Sequence, residues 1–183
     1  MRNTSDFDGK RSSVRAIWDV YQRLSGATAL VPPAIVFSLD QETRTNTEMG
    51  ELKKISGGMI RFLPRRTYEN YLLSSKAIAG AFSKTMETFQ KKPLSPIQVQ
   101  GWIDTNGEQP KYFKSGTPEK ANSDLWKQRI NTPKFLIDLV AALSETQENF
   151  DKLRDSIALT EWILANDPQE LEELSEYLKT LTG

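Results

Sequence analysis

The stretch "MIRFLPRRTYENYLL", residues 59–73, decides how this chain is read. Its first half clusters apolar and β-forming residues as a short strand does, and Pro64 closes that strand. Its second half sets Arg65, Arg66, Glu69 and Asn70 among apolar residues, where the strand gives way to a helix expected from Tyr71 to Phe89. Just upstream, "TNTEMGELKKISG" (45–57) predicts a short helix with Met49, Leu52 and Ile55 inward, closed by Gly57 and Gly58. Before it, "AIVFSLD" (34–40) is continuously apolar and rich in β-formers, as suits a strand buried on both faces of a parallel sheet, with Asp40 at its end.

Further upstream, "SSVRAIWDVYQRLS" (12–25) spaces Val14, Ile17, Trp18, Tyr21 and Leu24 as one face of an amphipathic helix. Helix, strand, helix, strand is the order of an open α/β sheet, and such sheets hold ligands beyond the carboxyl ends of their strands. Residues 93–131 show little periodicity and carry turn-prone runs such as "DTNGEQP", so they read as a loop-rich insertion pinned by Trp102, Tyr112, Phe113 and Trp126. The last part reads as helical. Thr132 and Pro133 open one helix, a second runs from about Asn149 to Ala165, and Asp167, Pro168 and Glu170 predict a capping box for a third. The expected division is therefore 1–92 as an α/β core, 93–131 as the insertion and 132–183 as a helical region packing on the core.

The chain has neither histidine nor cysteine. Disulfides, thiolate or imidazole zinc sites, cysteine nucleophiles and serine–histidine couples are thereby excluded within it. Any catalysis must rest on carboxylates, lysine, tyrosine or hydroxyls, with a hard cation that prefers oxygen ligands. No apolar run reaches the length of roughly 20 residues that a membrane-spanning helix needs, and "MRNTSDFDGKRSS" lacks the apolar core of a secretion signal, so a cytoplasmic location without membrane contact is expected. The formal net charge is zero, yet residues 53–92 are basic and residues 144–183 acidic. Two solvated surfaces account for that asymmetry as well as a phosphate-facing centre beside an acidic flank does.

Ser38, Asp40 and Glu42 alternate, which places them on one face if the strand stays extended through Glu42. Two carboxylates on one face can share a divalent cation. An acidic residue at a strand end also commonly caps the next helix or faces water. Glu69 follows the next strand and would meet Asp40 and Glu42 across neighbouring strand ends, while Arg65 and Arg66 offer bidentate donors to phosphate.

Taken in order, "IVFSLDQE" and "RFLPRRTYENYLL" resemble the Toprim nuclease domain of the OLD (overcoming lysogenisation defect) family of ABC-ATPase-associated, anti-phage nucleases. Its members pair a serine–x–aspartate–x–aspartate strand end with an arginine–glutamate–x–glutamate–asparagine–tyrosine–leucine–leucine signature. "NFDKLRDSIALTEWIL", with Phe150 two positions before Lys152, resembles its later helix, and "DPQELEELSEYLKTL" its terminal one. The resemblance implies a partial Toprim-like (Rossmann-like) parallel sheet flanked by helices, followed by a helical C-terminal region. It implies a metal site for Mg2+ or Mn2+ of Ser38, Asp40, Glu42 and Glu69, with Lys152 as electrostatic helper in phosphodiester cleavage. The basic segment, with Arg65, Arg66, Lys53 and Lys54, would bind nucleic acid, DNA before RNA.

Three features depart from the family pattern. Glu42 replaces its second aspartate and Thr67 the first glutamate of the signature. The opening of the chain resembles the turn and helix after the family's second strand, so its first, glutamate-bearing strand is expected to have no counterpart. The expectation is accordingly an endonuclease subunit incomplete by itself, completed by an ATPase-bearing partner, by another copy or by a missing upstream half. The alternative is an inactive Toprim-like interaction or regulatory subunit. A purely helical interaction domain is a third reading, and it predicts no parallel sheet.

Overall fold

A computed structural model of the protein describes residues 36–88, 92–114, 116–144 and 150–182, together with positions 19 and 23. The helix expected over 12–25 otherwise lies outside the described residues, as do Ala34 and Ile35. The chain divides into two compact units: Met1–Leu39 with Arg44–Phe62, and Asp40–Thr43 with Leu63–Gly183. The division between these units falls at the two strand ends.

In the first unit, strand β1 (Phe37–Leu39) and strand β2 (Ile60–Phe62) pair in parallel, Phe37 opposite Ile60 and Leu39 opposite Phe62. A parallel pair needs a crossover, and helix α1 (Asn46–Ile55) supplies it. Thr45 caps α1 with a capping box: its hydroxyl accepts from Glu48 N, and the Glu48 carboxylate accepts from Thr45 N at 2.8 Å. Gly57 and Gly58 then take φ of 59° and 85°, a left-handed exit that glycine adopts without strain. Met49 and Leu52 pack on Ile60 and Phe62 as expected, whereas Ile55, the last residue of the helix, is exposed. The observed parallel pair runs against the purely helical reading.

The second unit is helical. Helix α2 (Ser75–Thr88) packs on α3 (Pro96–Asn106) and on α6 (Lys152–Asn166); between them lie the short α4 (Asp124–Arg129) and α5 (Thr132–Leu143), and α7 (Glu172–Thr182) ends the chain. The segment 93–131 is therefore largely helical where a loop-rich insertion was expected. Ser95 and Gln98 form a capping box around Pro96 and start α3, which buries Val99 and Ile103. The aromatic pinning is observed: Trp102, Tyr112 and Trp126 surround the fully buried Phe135, with ring centroids 5.2, 5.1 and 5.5 Å away.

Helix boundaries shift by one to four residues from expectation. Asn131, rather than Thr132, caps α5, and Asp151 caps α6 by accepting from Leu153 N and Arg154 N. Asp167 forms no capping box, because residues Pro168–Leu171 make a 3-10 turn and its carboxylate pairs with Lys76 at 3.7 Å. Among the described residues no helix is long and apolar enough to cross a membrane. The architecture is α/β, mostly helical, with a small parallel sheet.

Candidate functional site

The signature stretch does not run straight into a helix. Tyr68–Tyr71 closes a 3-10 turn, and α2 begins only at Ser75. The turn is held by Asn70, which is fully buried. Its Oδ1 accepts from Thr67 N at 3.0 Å and from Thr67 Oγ1 at 2.8 Å, while its Nδ2 donates to the Lys127 carbonyl at 2.8 Å and the Ile130 carbonyl at 3.0 Å. Thr67, standing where the family signature carries a glutamate, is thus a buried structural partner of the turn.

This turn presents Glu69, which is 2% exposed. Lys152, at the first position of α6, brings its ammonium to 3.6 Å from Glu69 Oε1, and Glu69 Oε2 is buried with no hydrogen-bond partner among the described residues. A second carboxylate reaches the turn from Asp40, whose Oδ1 accepts from Tyr68 N at 3.0 Å. Tyr68 and Thr160 hydroxyls share a 2.7 Å hydrogen bond, so α6 touches the turn through both Lys152 and Thr160. Ser156, midway between those two on the same helical stripe, also has a buried hydroxyl with no partner among the described residues. Asp40, Glu69 and Lys152 are therefore brought to one turn, and one Glu69 carboxylate oxygen there has no hydrogen-bond partner among the described residues.

Of the other expected ligands, Glu42 does not continue the strand face of Asp40, and Ser38 belongs to the sheet unit. β1 ends at Leu39, and Glu42 has a φ of 50°, so the alternation that would have aligned Ser38, Asp40 and Glu42 is broken by a turn. Glu42 N donates to the Arg66 carbonyl at 2.9 Å, and its carboxylate faces the Arg66 guanidinium, whose pKa burial pulls down and Glu42 pushes back up. Ser38 is exposed on β1 of the sheet unit. Among the described residues no three acidic side chains gather closely enough to hold a metal ion by themselves.

The basic residues also separate. Arg65 is engaged within the protein: Nε and Nη2 donate to Glu173 Oε2 at 2.8 and 2.6 Å, Nη1 donates to the Asn70 carbonyl, and the guanidinium lies 4.5 Å over the Tyr71 ring. Lys53 and Lys54 are exposed in the last turn of α1, where they offset the helix dipole. Arg66 instead lines a cleft of about 420 Å³ with Lys114 and Arg129, two residues that sequence reasoning passed over because the region has no periodicity.

No family model, curated protein or solved structure matches this chain.

Proposed function

We propose that the chain is a Toprim-like nuclease module or subunit, contributing to divalent-metal-dependent cleavage of DNA phosphodiesters in an ATPase-linked assembly of the anti-phage kind. The observation that carries this reading is Glu69: a carboxylate buried at the end of the signature turn, one oxygen beside Lys152 and the other without a partner among the described residues. Isolated buried charge is costly, so such a group is retained either by a structural pair or by a ligand that completes it. The β1–α1–β2 crossover supports a partial Toprim-like, Rossmann-like sheet, with Asp40 following its first strand as the family motif requires.

Asp40 and Glu69 would hold the Mg2+ or Mn2+, and the ion supplies Lewis-acid activation of water and stabilisation of the leaving oxygen when bound. Lys152 adds a fixed positive charge beside the reacting phosphate. Further ligands come from an ATPase-bearing partner chain or another copy of this chain.

A second reading, a catalytically inactive Toprim-like interaction or regulatory subunit, is favoured by two observations. Thr67 is committed to Asn70, and Glu42 is turned toward Arg66. Calorimetric titration with Mn2+ or Mg2+, run beside a supercoiled-plasmid nicking assay, separates the two. The nuclease reading expects metal binding and nicking in the wild type and loss of both in Asp40→Ala and in the isosteric Glu69→Gln. Nicking unchanged in both variants refutes it, and the absence of metal binding and nicking from the wild-type assembly selects the inactive subunit.

A further inference from the structure

The cleft beside Arg66 has a different chemistry from the Glu69 turn. Three cations, Arg66, Lys114 and Arg129, and two carboxylates, Glu42 and Glu119, line it. Arg129 Nη1 is matched by Glu119 Oε1 at 2.5 Å. The two other cations rest on neutral main-chain oxygens, Arg66 Nη1 on the Arg129 carbonyl at 3.1 Å and Lys114 Nζ on the Thr43 carbonyl. Carbonyl oxygens position a cation without neutralising it, and Glu42 is the carboxylate of the lining that faces Arg66. The lining thus carries one positive charge more than its carboxylates balance, in a concave, partly desolvated place.

Further bonds, besides those the cations make, hold its shape. Arg66 N donates to the Gln128 carbonyl at 3.0 Å, and Gln41 Nε2 donates to the Leu63 and Pro64 carbonyls at 2.7 and 2.8 Å. Glu42 is kept in a left-handed conformation that non-glycine residues visit at a cost of about 1 kcal/mol or more.

We propose that this cleft is a seat for one phosphodiester of a DNA strand, bound by Arg66, Lys114 and Arg129. The singly negative phosphodiester balances the single excess charge, whereas a doubly charged phosphomonoester would bring a second charge up against Glu42 and Glu119. The proposal rests on the nucleic-acid part of the reading above and adds the residues that position the strand. Two guanidinium groups and an ammonium line the cleft as charge-assisted donors of the kind that bind phosphate oxygens, and a volume of about 420 Å³ lies in the range of ordinary ligand sites.

The test is fluorescence anisotropy with a short labelled single-stranded DNA in excess EDTA, where metal-dependent chemistry is silent. The expected result is salt-dependent binding that weakens about tenfold or more in Lys114→Gln/Arg129→Gln, with the salt slope reduced by roughly 0.7 for each phosphate interaction removed. Lys114→Gln alone, at an exposed position, is expected to show part of the same weakening with an unchanged melting temperature. Thymidine monophosphate and inorganic phosphate serve as competitors: failure of both to displace the strand assigns the site to the diester, and displacement by either at equal concentration overturns that assignment. Wild-type affinity in the double variant overturns the seat while leaving the nuclease reading intact. Absence of strand binding by the wild type overturns the seat as well, and metal-dependent nicking then decides the nuclease reading separately.

Discussion

Removal of the Asn70 carboxamide tests how the candidate site is built. Asn70→Ala deletes four hydrogen bonds, two accepted from Thr67 and two donated to the carbonyls of Lys127 and Ile130. The position has no exposure, so water does not replace them. At about 1 kcal/mol net per bond, the loss is about 4 kcal/mol; the Thr67 N–H and the Lys127 carbonyl lose this partner, while the Ile130 carbonyl keeps its bond from Thr132 N. For a chain of this length, roughly 2 to 4 °C of melting temperature goes with each kcal/mol, so thermal unfolding followed by circular dichroism is expected to drop by about 10 °C. Asn70→Asp sharpens the test, because it keeps the acceptor for Thr67 but sets a carboxylate against two carbonyls. Burial and those carbonyls raise that aspartate's folded pKa above its unfolded value, so the variant is expected to recover as pH falls and to be worst at neutral pH. A loss below about 1 kcal/mol in Asn70→Ala, or an aspartate tolerated at neutral pH, would refute the view that this side chain holds the turn that presents Glu69.

Two further outcomes follow from the packing around the same turn. Gly80→Ala is expected to destabilise the helical unit by roughly 1 to 3 kcal/mol in urea unfolding, since the added methyl would stand 2.5 Å from Trp162 Cε2 between α2 and α6; a neutral or stabilising effect, as helix propensity alone predicts, would contradict that packing. Burial raises the Tyr71 phenol from 10.0 to about 12, so both states keep its proton below pH 10.0 and the unfolded state loses it first above that. Stability is therefore expected to fall by on the order of 2 kcal/mol between those limits, and Tyr71→Phe, compared by alkaline unfolding, should flatten that limb; an identical slope in the variant would exclude Tyr71 as its source.

The local elements that stand on strong side-chain patterns were legible in the sequence. Met49 and Leu52 marked the inner face of α1, Phe135, Leu136, Leu139 and Val140 that of α5, and the aromatic set Trp102, Tyr112, Phe113 and Trp126 marked a buried anchor. Helix α3 was missed although Ser95–Pro96–Ile97–Gln98 carries a capping signature, because only Val99 and Ile103 repeat within it and Gly101 interrupts the pattern. Its helical state is stabilised by packing on α2 and α5, which a linear pattern does not record. The extension of β1 through Glu42 failed for a related reason. Period-two alternation holds only while a strand has a neighbour to pair with, and pairing stops at Leu39 opposite Phe62.

By itself the sequence determined which chemistries are open, since a chain without histidine or cysteine is left with oxygen ligands and hard cations. It also determined the run of apolar faces, because burial of those faces is a local property of side-chain spacing. Which polar groups meet was decided only by the tertiary structure. Arg65 and Arg66 are neighbours of the same chemistry, yet one is locked onto Glu173 and Tyr71 and the other lines an open cleft. Lys152 reads as an ordinary solvated helical lysine until α6 is laid against the Tyr68–Tyr71 turn and sets it beside a buried carboxylate. Electrostatic partnership depends on distance and desolvation across elements remote in sequence, and spacing along the chain carries neither.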